Sequence, residues 1–280
     1  MRVVILFVGT LVLLAGCASI SPESRWQHAE QLAQQAGWQK LRIPTEKFVL
    51  SAYVRKAQTP ADTLAIYIEG DGLAWLTPSL ASSDPTPRNP VGLQLALRHP
   101  PAAGNAAGYL ARPCQYVAAE DARNCRQAYW TDRRFATEVI EASDQAISVL
   151  KQRVGASRLV LIGYSGGGAV AALVAARRND VVQLITLAGN LDHRVWTAQH
   201  RVSPLAGSLN PADAWQALVN LPQRHFVGGR DEIVSQTVVE AYAARFPVQQ
   251  RPSVRVIADF DHVCCWVEQW PEILLGIPGK

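Results

Sequence analysis

The chain has 280 residues, 49% hydrophobic and 18% charged, with a net charge of +4 at pH 7. That is the balance of an ordinary globular protein, and with no basic run it argues against nucleic acid as a partner. Behind its N-terminal segment about 260 residues remain, enough to bury one large core.

Met1-Arg2 opens the chain and an apolar run from Val3 to Leu14 follows, ending Leu14-Ala15-Gly16-Cys17. A run of about a dozen residues is too short to span a bilayer, which takes about 20. It has the form of a signal-peptide core, with a positive charge before it and small residues after it. Leu-Ala-Gly-Cys resembles the lipobox of bacterial lipoproteins, which implies cleavage after residue 16 and a lipid on Cys17. Ala18 and Ser19 follow in place of an acidic retention signal. The resemblance therefore implies outer-membrane anchoring, with the domain facing the periplasm.

Residues 17–40 are polar and Gln/Ala-rich and read as a tether with a short helix, ahead of one domain over 41–280. Phe48 to Val54 alternates as a half-buried strand does. Leu64 to Ile68 is an apolar run stopped by Glu69-Gly70-Asp71-Gly72, the pattern of a buried strand entering a loop. The Pro/Ser-rich stretch 77–90 reads as loop, Val91 to Arg98 as a short helix, and Tyr109 to Val117 as a strand containing Cys114. Thr131 to Val154 has helical spacing, with Thr131 as N-cap and Asp132 near the positive helix end. Arg158 to Ile162 is a buried strand, Gly163 to Gly168 a glycine-rich turn, and an Ala/Val-rich helix runs on to Arg178. Val181 to Leu187 is a strand, and 190–221 is a loop-and-helix insertion. A strand over His225 to Val227, a helix over Ser235 to Phe246 and a strand over Val254 to Ala258 complete the alternation. Strands alternating with helices imply an α/β fold with a mainly parallel central sheet flanked by helices.

Apart from Cys17 there are four cysteines, which allow three pairings. Cys114 with Cys125 closes a short loop and is preferred. That leaves the adjacent Cys264 and Cys265 to form a vicinal bridge, while cross-links between the two pairs stay open. Their spacing is not that of a zinc site.

Gly163-Tyr164-Ser165-Gly166-Gly167 matches G-x-S-x-G. The motif is short enough to arise by chance, and its setting decides its value. It lies between a buried strand and a helix, the strand-turn-helix of a nucleophile elbow. The flanking glycines suit a turn where side chains would collide with the neighbouring strand and helix. The rival reading is a tight turn that binds nothing, or a phosphate.

With these residues the chain resembles the α/β-hydrolase family over about residues 45 to 270. The resemblance implies an α/β-hydrolase fold and a triad in the chain order Ser, acid, His. Ser165 is then the nucleophile. Asp231, 66 residues on in Gly228-Gly229-Arg230-Asp231-Glu232-Ile233-Val234, matches the acid loop, and His262 follows the last strand as base. Asp192, after the strand that follows the elbow, is a second acid position; Asp259 and Asp261 adjoin His262 too closely to face it. His193 and His200 lie in the insertion, His225 inside a strand, and His28 and His99 before Ser165.

The oxyanion donors implied are the backbone amides of Gly166 and Asp71. Glu69-Gly70-Asp71-Gly72 departs from the family's usual His-Gly loop and sets two acids beside the oxyanion. One way out is for Asp71 or Glu69 to turn toward backbone amides or toward Arg112, Arg133 or Arg134. The implied activity is hydrolysis of an ester, thioester or amide through an acyl-enzyme, without cofactor or metal, on a small-molecule or lipid-like acyl substrate. Two rivals stand: an acyltransferase with the same triad, and a non-catalytic envelope lipoprotein binding lipid, glycan or protein.

Overall fold

The computed structural model describes residues 21–55, 61–101 and 105–276; the signal-peptide segment and Cys17 lie outside them. Among the described residues ten strands form in chain order: β1 (Trp38–Pro44), β2 (Val49–Arg55), β3 (Thr63–Ile68), β4 (Trp75–Thr77), β5 (Leu80–Ala81), β6 (Asn105–Leu110), β7 (Arg158–Tyr164), β8 (Val181–Leu187), β9 (Gln223–Gly228) and β10 (Ser253–Ile257). Eight of them make one sheet in the order β1-β2-β6-β3-β7-β8-β9-β10, and β4 with β5 forms a separate small hairpin. Strand β2 pairs antiparallel with both β1 and β6, and every pairing from β6 onward is parallel.

The helices are α1 (Pro22–Gln35), α2 (Val91–Leu97), α3 (Thr137–Val154), α4 (Gly166–Ala175), α5 (His193–His200), α6 (Trp215–Leu218), α7 (Gln236–Ala243) and α8 (Trp270–Leu275). They cover both faces of the sheet, which explains why its inner strands read as continuous apolar runs rather than alternating ones. In β3, Leu64, Ile66 and Ile68 join the apolar layer under α3 and α4, whereas Ala65 and Tyr67 join the layer under α2 and α8. Helix α4 is buried along its whole length, so its Ala/Val composition fits contact on all sides.

Several expectations need correction. Trp38 to Pro44 is an edge strand, and α1 places Ala29 and Ala33 in the same apolar layer as Trp38 and Trp270. The 77–90 stretch is not all loop, since β4 and β5 turn back on each other there. Strand β6 ends at Leu110, before Cys114. Cys114 and Tyr116 take positive φ of 71° and 57°, conformations a strand does not use. Helix α3 begins at Thr137, so Thr131 is not its N-cap; the Thr131 hydroxyl donates to the Gln127 carbonyl instead. The amide of Phe135 is satisfied by Ser208 Oγ at 3.0 Å, which holds 131–136 outside the helix. Disulfides join Cys114 to Cys125 and Cys264 to Cys265.

Candidate active site

Strand β7 delivers Ser165 at the C-terminal edge of the sheet. Ser165 has φ 52° and ψ −123°, a sparsely populated positive-φ conformation that costs roughly 1–3 kcal/mol and persists only where its surroundings hold it. They do hold it: its amide donates to the Leu187 carbonyl at 2.9 Å, and its carbonyl accepts from Gly168 and Asn190. The glycines permit the crowding this entails. A Cβ on Gly163 would lie 2.3 Å from the Gly167 carbonyl oxygen, and one on Gly167 would lie 2.2 Å from that of Ile68.

The next two strands bring the acid and the histidine to the same edge. Asp231 follows β9, and its Oδ1 accepts from the amides of Ile233 and Val234, both at 2.8 Å. His262 follows β10. The Gly229 amide donates to the Ile257 carbonyl and the Arg230 amide to the Phe260 carbonyl, which ties the acid loop to the histidine loop. Tyr164, beside the serine, donates through its hydroxyl to the His262 carbonyl at 2.9 Å. The outcome is a chain of three side chains. His262 Nε2 lies 3.0 Å from Ser165 Oγ, and His262 Nδ1 lies 2.9 Å from Asp231 Oδ2.

The other candidate acids are engaged elsewhere. Asp192 caps α5 and accepts from Asn210; Asp261 accepts from the amides of Val263 and Cys264, closing its own loop; and exposed Asp259 pairs with Arg230. Among the histidines, His225 is buried against Thr186, His99 meets the Tyr67 hydroxyl, and His200 meets the Ile233 carbonyl. His193 is buried against Phe135, and burial holds its pKa below the usual histidine value.

The loop after β3 packs directly on the elbow. A Cβ on Gly70 would lie 3.3 Å from Ser165 Cβ, and one on Gly166 would lie 2.0 Å from Asp71 Oδ1. The amide of Gly166, at the first position of α4, has no acceptor within the helix. The two acids of this loop are handled in different ways. Glu69 is fully enclosed and accepts from the amides of Gly70, Gly92 and Leu93 and from the Tyr109 hydroxyl. Burial raises its pKa, and those four donors offset only part of the rise. Asp71 forks between two arginines, with Arg112 Nη1 at 3.0 Å from Oδ1 and Arg134 Nη1 at 2.7 Å from Oδ2. Burial alone would raise the Asp71 pKa too, but the charges of Arg134 and Arg112 override it and hold the group below the ordinary carboxylate value. Arg133 pairs with Glu138 instead. The cluster of one carboxylate and two guanidinium groups sums to +1, so the elbow faces net positive charge where the sequence alone shows an acid.

Residues that sequence reading passed over complete this side. The side chain of Gln115 donates to the Gly70 carbonyl at 3.0 Å and accepts from the Arg112 amide at 3.1 Å, bracing the loop from behind. The Arg134 guanidinium lies 5.7 Å from the Trp196 ring centre, and Trp196 Nε1 donates to the Ile233 carbonyl in the acid loop at 2.7 Å. A continuous set of contacts therefore runs from the loop after β3 to Asp231. No local pattern announces it, because its members lie far apart in the chain.

Ser165 and His262 open into a cleft of about 430 Å³ whose apolar walls include Trp75, Tyr164, Trp196, Ile233 and Val263. Among the described residues no cluster of His, Cys, Asp and Glu is placed to hold a metal ion.

No protein-family model and no curated protein matches the chain. Solved structures do. An esterase of Pyrococcus furiosus superposes with a TM-score of 0.59 at 15% identity, covering 88% of this chain and 92% of that one. An alpha-beta serine hydrolase homologue of Coxiella burnetii gives 0.57 at 15%, covering 85% and 96%. A membrane phospholipase A, described as a bacterial virulence factor, gives 0.53 at 16%, covering 94% and 92%. The fold is that of the α/β-hydrolases. Within an α/β-hydrolase sheet, the ends of β7, β9 and β10 lie at the carboxyl edge, where open α/β sheets hold their ligands. Ser165, Asp231 and His262 stand at those three ends.

Proposed function

We propose that the protein is a serine hydrolase that cleaves a carboxylic ester through an acyl-enzyme on Ser165. The observation that carries this reading is the Ser165–His262–Asp231 hydrogen-bonded chain on a strained strand-to-helix turn. A hydroxyl becomes a useful nucleophile only beside a base, and the base needs its second nitrogen held. His262 Nε2 takes the Ser165 proton as Oγ attacks the carbonyl carbon. His262 Nδ1–H donates to Asp231 Oδ2, and the two loop amides on Asp231 Oδ1 fix the carboxylate that stabilises the imidazolium. The tetrahedral oxyanion is met by the amides of Gly166 and Asp71, with the positive end of α4 behind the first. Collapse of that intermediate passes the proton from His262 to the leaving alcohol. Water activated by the same nitrogen then releases the acid. Thioesters, with a better leaving group, and amides, with a poorer one, fit the same steps.

A largely apolar cleft wall fits a small or lipid-like acyl group, in keeping with esterase and phospholipase A structures among the neighbours. The lipobox-like Leu14-Ala15-Gly16-Cys17 supports a lipid anchor on Cys17 and a place in the bacterial envelope, at the outer membrane facing the periplasm. Labelling with a fluorophosphonate probe tests the enzyme reading. Modification of Ser165 in folded protein is expected, and an unlabelled folded protein would sink it. Adding an alcohol acceptor to the assay separates hydrolysis from acyl transfer: free acid should remain the main product.

A further inference from the structure

The hairpin β4–β5 presents three large apolar side chains to solvent, with Trp75 43%, Leu76 51% and Leu80 55% exposed. Trp75 also lines the cleft that contains Ser165. Across the same cleft Ile233 and Val263 are 49% and 48% exposed. Trp75, Ile233 and Val263 thus line the cleft, and Leu76 and Leu80 extend the apolar surface along the hairpin that carries Trp75, whereas exposed apolar residues on a soluble monomer are usually scattered singly.

What covers this surface is indicated by where the chain enters the fold. Leu73 and Ser82, flanking the hairpin, are held by backbone bonds to Pro85 and Ala74 at 3.0 and 2.9 Å. The loop at that base is gripped by the first turn of α1. Buried Arg25 pairs with Asp84 and donates to the Thr86 carbonyl, and Trp26 Nε1 donates to Thr86 Oγ1 at 3.1 Å. Ser21, which caps α1, precedes Arg25 by one helical turn, about 6 Å of rise. Four peptide units separate Cys17 from Ser21, a reach of at most about 14 Å. A lipid on Cys17 would thus fasten the molecule to the bilayer close to the apolar hairpin and not at the far end of the sheet.

We propose that the β4–β5 hairpin is a second membrane contact, inserting Trp75, Leu76 and Leu80 into the headgroup and upper acyl region of a phospholipid bilayer so that the cleft of Ser165 opens onto the membrane surface. Tryptophan suits this depth because its ring is apolar while its indole N–H still finds a polar partner. The exposed Arg88, which also lines the cleft, adds a cation for anionic headgroups. An acyl ester held in the bilayer would then reach Ser165 without crossing water. The membrane contact rests on the anchor reading only for its orientation; the substrate consequence rests on the hydrolase reading.

Tryptophan emission in vesicles of dibrominated phosphatidylcholine tests the contact without any call on catalysis. The full lipidated chain should lose part of its emission there relative to unbrominated vesicles, and Trp75→Phe should remove most of that quenchable part. If bromolipid leaves the emission unchanged, or Trp75→Phe leaves the quenching intact, the hairpin does not enter the bilayer and the proposal falls. The double variant Leu76→Ser/Leu80→Ser gives the second arm. Turnover of an ester lipid in vesicles should drop by at least about tenfold, while that of a soluble acetate ester is unchanged. Equal turnover of both esters in variant and parent would refute the role in substrate delivery. Absence of turnover on both esters in the parent protein would refute the hydrolase reading and leave the quenching result standing.

Discussion

The two sides of the cleft are built by different means. On one side Ser165, Asp231 and His262 each follow a parallel strand by a few residues, so the sheet itself brings them within hydrogen-bond reach. On the other, Asp71 is governed by Arg112 and Arg134, which come from irregular segments 41 and 63 residues away. The first side is local chemistry set on a regular frame. The second is an electrostatic arrangement that exists only after folding, and it turns an unfavourable acid into part of a net positive cluster. Acidic residues beside an oxyanion site need not count against catalysis, provided their charge is matched within the same buried shell.

Five experiments press on that contrast, beginning with the largest effect. Ser165→Ala should lower ester turnover by about 10⁶-fold, since a nucleophile and its base act as one unit; circular dichroism should be unchanged. Asp231→Asn keeps the geometry but favours the wrong imidazole tautomer, so kcat should fall by about 10⁴ with KM little moved. Arg134→Met leaves Asp71 with one partner beside the developing oxyanion. Its kcat should fall by about 10²–10³, the scale of losing one oxyanion donor, and adding Asp71→Asn should recover part of the loss. A double variant no better than Arg134→Met alone would mean that the arginine acts through packing and not through charge.

Removing the Cys114–Cys125 bridge by paired Ser substitutions should cost about 3 kcal/mol in denaturant unfolding, from the short loop it closes. It should also reduce kcat, because the segment it holds carries Arg112 and Gln115. The smallest effect separates the two acids of one loop. Asp71, with its pKa lowered, contributes stability that is full above the unfolded value of about 3.9 and is lost as pH falls through the lower folded value. Glu69, with its pKa raised, contributes stability that is full below the unfolded value of about 4.3 and is lost as pH rises through the higher folded value. Relative to the parent, Asp71→Asn should therefore be most destabilised near neutral pH, with the gap closing below about pH 3.9, whereas Glu69→Gln should improve as pH rises above about 4.3. Thermal melts of the three proteins across pH 3 to 8 would show the two differences moving in opposite directions. Parallel movement would mean that the acids share one environment.

What could be read before folding follows the same division. The central strands were legible because a strand buried on both faces leaves an apolar run, as in Leu64 to Ile68 and Leu159 to Ile162. Edge strand β1 was not, since exposed Lys40 and Arg42 keep one face polar and break the run, and the hairpin at 75–81 was hidden by Pro and Ser. The apolar run through Cys114 reads as strand because composition does not reveal a positive φ.

The sequence by itself determined the α/β alternation and the glycine-rich turn after the third parallel strand of the sheet, while the chain order of serine, acid and histidine came from the family resemblance. The alternation and the turn depend on near neighbours and on hydrophobic period, which the order of residues records directly. Only the tertiary structure decided which acid faces His262, where Glu69 and Asp71 send their charge, and which apolar side chains stay in water around the cleft. Those outcomes depend on burial and on Coulomb partners brought from distant segments. A carboxylate written in a sequence has no pKa shift and no partner until the chain around it has closed.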